Sequence, residues 1–242
     1  MKESTSSDNN GTALQNTSNM TTTGKIDGAL SFNGSSDYVY AKTLTGLQGD
    51  NSRTVSMWIK TSTIIQQAFF DSGNYPSYLD QALALALTQQ NGVRMSPDPN
   101  TIPPANTPGV YLTFYFADVY IPGQTLTDNN WHHIAFTLSG TSVYIYIDGA
   151  TPPGYIWNGA PPSSYLTSQP FTLPSTPNTS GLPIWIGHAR QTFWVTGSAY
   201  FNGSIDEVQI SNIDRSSGWI VTEYNNQASP STFYTVSPLV SR

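Results

Sequence analysis

Cysteine is absent from this chain of 242 residues. That excludes a disulfide framework, a thiolate nucleophile and a cysteine-ligated metal centre. Charge is scarce as well: Asp, Glu, Lys and Arg together make up only 10% of the sequence, against about a quarter in ordinary soluble domains. Nine basic residues stand against fifteen acidic ones, a formal net charge of −6, and the basic residues form no run. The electrostatic footprint of a nucleic-acid partner or an anionic membrane surface is therefore missing. No apolar stretch approaches the roughly 18 residues of a membrane-inserted helix. Residues 1–23 are Ser, Thr and Asn with little else and carry no signal-peptide pattern, so they read as a polar leader. If the chain is exported, it is expected to be one module of a longer protein.

What is present is β-sequence. Aromatic residues account for 12% of the chain, a composition that strands favour. The clearest element is Trp131–Gly149. There Ile134, Phe136 and Leu138 alternate with polar or small neighbours, a Ser-Gly-Thr-Ser turn follows, and Val143, Ile145 and Ile147 alternate again. This is a hairpin with one buried face. Further strands are predicted over Lys25–Ala41 (two, around an Asn-Gly-Ser-Ser turn), Thr54–Lys60, Gln66–Phe70, Ala82–Leu87, Val110–Tyr120, Leu182–His188, Phe201–Ser211 and Thr232–Val236. Ala82–Leu87 reads Ala-Leu-Ala-Leu-Ala-Leu, helical by propensity, but its strict alternation favours a strand. Five prolines in 96–109 forbid a central strand there, and seven prolines in 151–181 mark a second long loop. Ser216–Gln227 alone has helical spacing. About a dozen short strands without α/β alternation describe one sandwich or barrel.

Three blocks carry a family resemblance: GKIDGALSFNGSSDYVYA at 24–41, WHHIAFTLSGTSVYIYIDG at 131–149, and IGHAR at 186–190 followed by FNGSIDEVQISN at 201–212. Their order and spacing resemble the laminin-G-like modules of the concanavalin A-like lectin/glucanase superfamily, found in bacterial and archaeal surface proteins. The resemblance spans most of 24–236 and implies an all-β jelly roll of two antiparallel sheets, with one short helix near the C-terminus. Phe-Asn-Gly-Ser occurs twice, at Phe32–Ser35 and Phe201–Ser204. Terminal strands of a jelly roll often lie side by side, so the two copies are expected to make equivalent turns.

Glycosidases of that superfamily need paired carboxylates on one strand, a few ångströms apart. This chain has three glutamates, Glu3, Glu207 and Glu223, and no strand pairs carboxylates at i, i+2 or i, i+4. His132 and His133, as neighbours on a strand, face opposite sides. The reading is therefore non-catalytic, with a glycoside hydrolase as the remote alternative. The resemblance also implies a structural Ca²⁺ where the terminal strands meet, held by Asp206 with carbonyls from Asn33 and Gly34. Asp27 and Asp37 are weaker candidates. For a sugar, the expectation is aromatic rings on loops, since a pyranose stacks its C–H face on a ring: Tyr75, Tyr78, Tyr155, Trp157, Trp194 and Tyr200, with Tyr165 and Phe193 nearby and Asn74, Asp80, Asn158 and Gln191 as polar partners. The same rings also fit packing of their own loops. Glycan binding or adhesion outside the cell, beside neighbouring domains of a larger protein, is one expected role. A structural unit in a surface fibre or layer is the other.

Overall fold

A computed structural model describes residues 11–14, 19–41, 47–73, 82–87, 108–114, 117–157, 164–179, 183–189 and 200–233. In chain order the strands are β1 Thr12–Leu14, β2 Thr21–Thr23, β3 Gly28–Asn33, β4 Tyr38–Ala41, β5 Arg53–Lys60, β6 Gln67–Gly73, β7 Ala82–Leu87 and β8 Gly109–Thr113. There follow β9 Asp118–Pro122, β10 Trp131–Ser139, β11 Ser142–Ile147, β12 Gly154–Trp157, β13 Ser164–Leu166, β14 Phe171–Thr172, β15 Ile184–Ile186 and β16 Asn202–Ser211. Helix α1, Ser217–Ala228, and the single turn α2, Pro230–Phe233, come last. The strands form two antiparallel sheets. The nine-stranded sheet runs β1-β4-β15-β6-β7-β8-β9-β12-β13, and the seven-stranded sheet β14-β11-β10-β5-β16-β3-β2.

Period-2 alternation builds the interior. In β10 and β11, Ile134, Phe136, Leu138, Val143 and Ile145 are all at most 1% exposed and meet Val55, Met57 and Ile59 of β5 in one core. From the other sheet Leu83, Leu85, Leu87, Val110, Leu112, Val119 and Ile121 point into the same core. The predicted hairpin forms, Ile134 opposite Ile147 through Ser139 opposite Ser142, and Gly140 turns it with φ 57°. The terminal strands do lie together. β16 pairs with β3, Asn202 opposite Asn33 and Ile205 opposite Leu30, and also with β5.

Several sequence expectations change in detail. The two Phe-Asn-Gly-Ser copies do not make equivalent turns. The first ends β3 and enters a turn, whereas the second opens β16, so the copies pair with each other: Gly34 N–H donates to Phe201 O at 2.9 Å, and the rings of Phe32 and Phe201 meet edge to face. The strands predicted within Lys25–Ala41 exist, but β3 and β4 belong to different sheets. Val110–Tyr120 is two strands of a hairpin, β8 and β9, because the chain reverses between Phe114 and Ala117. The proline-rich stretch 151–181 holds β12, β13 and β14, which extend both sheets. The polar leader contributes β1 and β2, paired with β4 and β3. The strand predicted at Thr232–Val236 is not one at its start, where α2 closes; 234–236 lie outside the described residues.

Candidate functional site

The strands that send Leu, Val and Ile inward send a different set outward. On the nine-stranded sheet the outward positions form rows that run across the strands, because residues paired in register stand side by side about 4.8 Å apart. One row is a tyrosine ladder. Tyr111 of β8 is opposite Tyr120 of β9, Tyr120 opposite Tyr155 of β12, and Tyr155 opposite Tyr165 of β13. Tyr120 and Tyr155 stack at 6.4 Å and 28°, while Tyr155 and Tyr165 meet at 4.8 Å and 54°. The ladder climbs out of the protein: Tyr111 and Tyr120 are buried, Tyr155 is half-buried and Tyr165 is 50% exposed.

The adjacent row crosses seven strands. It runs Tyr40, Trp185, Asp71, Ala84, Thr113, Asp118 and Trp157, each opposite the next. At one end Trp185 packs on Tyr40 (5.4 Å) and Tyr38 (4.8 Å), and His188 stacks on Tyr200 at 4.1 Å and lies 5.5 Å from Tyr38. All five of these residues are half-buried. Further along, Asp118 accepts the Tyr111 hydroxyl at 2.6 Å and the Thr113 hydroxyl at 2.5 Å. Burial and the Asp118 charge push the Tyr111 phenol well above its ordinary pKa, so it keeps its proton and remains the donor. The face thus has an aromatic bank on each side, while its middle, Ala68, Ala84 and Ala86, is at most 4% exposed.

Of the sequence-predicted ligand residues, Tyr155 and Tyr200 sit on this face, in opposite banks. Trp157 ends β12 opposite Asp118; its side chain lies outside the described set. Tyr75, Tyr78 and Trp194 also lie outside the described residues. Sequence reasoning missed Tyr38, Tyr40, Tyr111, Tyr120 and Trp185, because it looked for rings on loops. The signal was in the strands: Tyr-Val-Tyr in β4, Val-Tyr in β8 and β9, and Ile-Trp-Ile in β15 each place a ring opposite a core residue.

Among the described residues the carboxylates do not make a glycosidase pair on this face. Asp71 and Asp118 are separated by three strand spacings, about 14 Å, whereas retaining and inverting enzymes hold theirs about 5 to 9.5 Å apart. Glu207 is on β16 and Glu223 on α1, both on the seven-stranded side. His132 and His133 face opposite ways as predicted. His132 lies between two carboxylates, Nδ1 at 2.8 Å from Asp148 and Nε2 at 3.1 Å from Asp128, and these bonds raise its pKa. His133 is buried under α1.

The residues expected to hold calcium do not fit one ion. Asn33 stands opposite Asn202, and Asp206 is four residues further along β16, about 13 Å at a strand's rise. Ligands of one Ca²⁺ sit within 2.6 Å of it. The side-chain oxygens of Asp206 and Asn33 also hold backbone N–H groups. Asp206 accepts the backbone N–H of Ile26 (3.0 Å) and Glu207 (2.8 Å), which pins the bulge between Asp206 and Gln209. Asn33 Oδ1 accepts the N–H groups of Ser35, Ser36 and Asp37 and so holds the turn after β3. Gly34 has φ 73°, and a Cβ there would meet Asn202 at 2.7 Å, so its role is the close approach of this turn to the start of β16.

A laminin-G family model of the concanavalin A-like lectin/glucanases superfamily matches residues 33–221. The chain belongs to this family. No curated protein sequence matches the laminin-G-like chain. Among solved structures it is similar to domain 4 of AbnA, an extracellular GH43 arabinanase of Geobacillus stearothermophilus, in complex with arabinotriose. That likeness has 19% identity and a TM-score of 0.50, and it covers 87% of this chain and 86% of that one. The binding domain of botulinum neurotoxin serotype D/C is similar at 12% identity and TM-score 0.54, over 90% of this chain and 47% of that one. The binding domain of Paraclostridial Mosquitocidal Protein 1 is similar at 12% identity and TM-score 0.53, over 93% and 49%. The chain spans about half the length of these two toxin domains. Likenesses at such identities concern the sandwich alone.

Proposed function

We propose that this chain is a non-catalytic glycan-recognition module of an exported or cell-surface protein, serving binding or adhesion, and that it reads its ligand along the outer face of the nine-stranded sheet. The tyrosine ladder carries the reading. Tyr165, at the end of a row of stacked rings, packs on Tyr155 and leaves half its surface open to solvent. A saccharide gains a rigid apolar surface for its C–H faces there, already paid for in side-chain entropy by the stacking. The opposite bank of Tyr38, Trp185, His188 and Tyr200 offers a second surface on the same face. The wide spacing of Asp71 and Asp118 supports binding without cleavage. The arabinotriose complex of the similar arabinanase domain is in keeping with a glycan ligand.

A glycan array followed by polysaccharide pull-down tests this. The reading expects a plant- or microbial-polysaccharide signal that weakens in Tyr155→Ala and in Tyr200→Ala. The exposed neighbours Ile64 and Ile65, 56% and 44% accessible, favour a second reading, protein–protein contact in a surface fibre or layer. Absence of any glycan signal together with concentration-dependent self-association supports that reading instead.

A further inference from the structure

The outer face of the seven-stranded sheet is divided. Over one part α1 lies flat: Trp58, Ala135 and Tyr146 are at most 2% exposed beneath Ile220 and its neighbours. Trp58 Nε1 donates to Gln227 and its ring stacks on Tyr224. Past the first turn of the helix, β10 and β11 run on without that cover. A depression of about 250 Å³ opens there, between the two strands and the segment leading into α1.

From this depression we infer a second saccharide site, separate from the nine-stranded face, that takes a single pyranose ring. The lining is the first reason. Thr137, Ser142, Tyr144, Asp214, Arg215 and Ser217 surround it, with further serines at the rim. An apolar ligand would strip water from these hydroxyls and return nothing, whereas a polyol returns a hydrogen bond for each one displaced. Among the described residues the hydroxyls of Thr137, Ser142 and Tyr144 have no partner within the protein, so they remain for a ligand.

The platform is the second reason. Tyr144 and Tyr146 stack at 6.1 Å and 25°. Tyr146 is fixed in turn by a 2.9 Å hydrogen bond with Ser217. The half-buried Tyr144 ring is therefore held still, as a surface that stacks on a sugar must be. Arg215 is held as well: its Nε donates to Ser211 Oγ at 3.2 Å, and its guanidinium lies 4.8 Å over the Trp219 ring. Beside it stands Asp214. A fixed cation next to a carboxylate suits the vicinal diol of a sugar, which accepts from one and donates to the other. It suits an inorganic anion poorly, since Asp214 repels it.

Size is the third reason. The volume falls below the roughly 300–1,000 Å³ of sites that enclose drug-sized ligands, which leaves room for one ring and not for a chain. The depression is on the opposite side of the sandwich from the tyrosine ladder. The inference therefore stands whether or not that ladder binds, and if both do, the module bridges two glycans.

Titration of the ¹⁵N-labelled chain with methyl glycosides of glucose, galactose, mannose, xylose and N-acetylglucosamine, followed by amide NMR, tests it. At roughly 20 mM, well above a millimolar Kd, at least one glycoside is expected to shift the amides of 137–146 and 214–217. The shifts should fall at least tenfold in apparent affinity in Tyr144→Ala and in Ser142→Gln, which fills the depression from its edge, and persist in Tyr165→Ala. If no glycoside moves these amides, or if they move equally in both depression variants, the site is not there. Loss in Tyr165→Ala alone would assign the sugar to the other face and overturn the inference while leaving the proposed function intact.

Discussion

A single guanidinium ties the start of β5 to the chain that follows β14. Arg53 is 1% exposed. Its Nε donates to Asn51 O at 2.9 Å, Nη1 to Leu47 O at 2.8 Å and to the Thr179 hydroxyl, and Nη2 to Gly49 O at 2.6 Å. Burial lowers its pKa to about 10, opposed by Asp50, and it stays charged at neutral pH. Arg53→Met removes the fork, four charge-assisted bonds, and leaves Leu47 O and Gly49 O with Thr179 as their donor, through its hydroxyl at 3.2 Å and its N–H at 3.1 Å. The expected loss is about 3 kcal/mol in a urea melt, and Arg53→Lys should recover little, because an ammonium does not reproduce the planar fork. This residue was invisible in the sequence. The strand pattern began at Thr54, and a lone arginine before a strand carries no periodicity. The outward tyrosines were hidden for a different reason: alternation was used to find the buried face, and the other face was not asked for.

Among the elements, α1 was legible from its helical spacing, and Ser216 caps it, accepting the Trp219 N–H. What it covers was not legible. Glu223 reaches down to Ser56, whose hydroxyl donates at 3.0 Å, and its other oxygen lies 3.7 Å from His133 Nε2. Burial raises Glu223 to about 7, with the Ser56 bond and Arg215 opposing and Glu207 adding. Burial lowers His133 to about 4, opposed by Asp148. The signs are opposite. Folded Glu223 keeps a proton between about pH 4.5 and 7 that the unfolded chain has lost, so it costs stability as pH rises through that window. Folded His133 lacks a proton between about pH 6.5 and 4 that the unfolded chain binds, so it costs stability as pH falls. Together they nearly cancel. Relative to the parent, Glu223→Gln should lose stability as pH falls from 6.5 to 4, and His133→Gln as pH rises from 4.5 to 7, read as Tm against pH. Parallel profiles for all three proteins would contradict the pairing. The remaining element-scale errors share one cause. Val110–Tyr120 and 151–181 are built from strands of two to five residues, too short to show a period, and only tertiary pairing makes them strands.

At the scale of the molecule, the two-sheet sandwich and the meeting of its terminal strands were readable because β3, β5, β10, β11 and β16 each turn alternate apolar residues to the common core. The calcium expectation came from the family, and the register divides its residues. Asp206 instead joins the loop before β3 to the bulge of β16. Asp206→Ala is therefore expected to lower the melting temperature equally with and without EDTA, while EDTA alone leaves the parent unchanged. A chelation effect abolished by the substitution would restore the ion.

The central claim, that the nine-stranded face binds glycan through its tyrosine ladder, is tested most directly at Tyr165, exposed enough to replace without disturbing the core. Calorimetric titration of the best array glycan into the parent and Tyr165→Ala gives the answer. Covering about 60 Å² of ring contributes about 1.5 kcal/mol, so the account predicts affinity roughly tenfold weaker in the variant at an unchanged melting temperature. Equal affinity in the two proteins would contradict it.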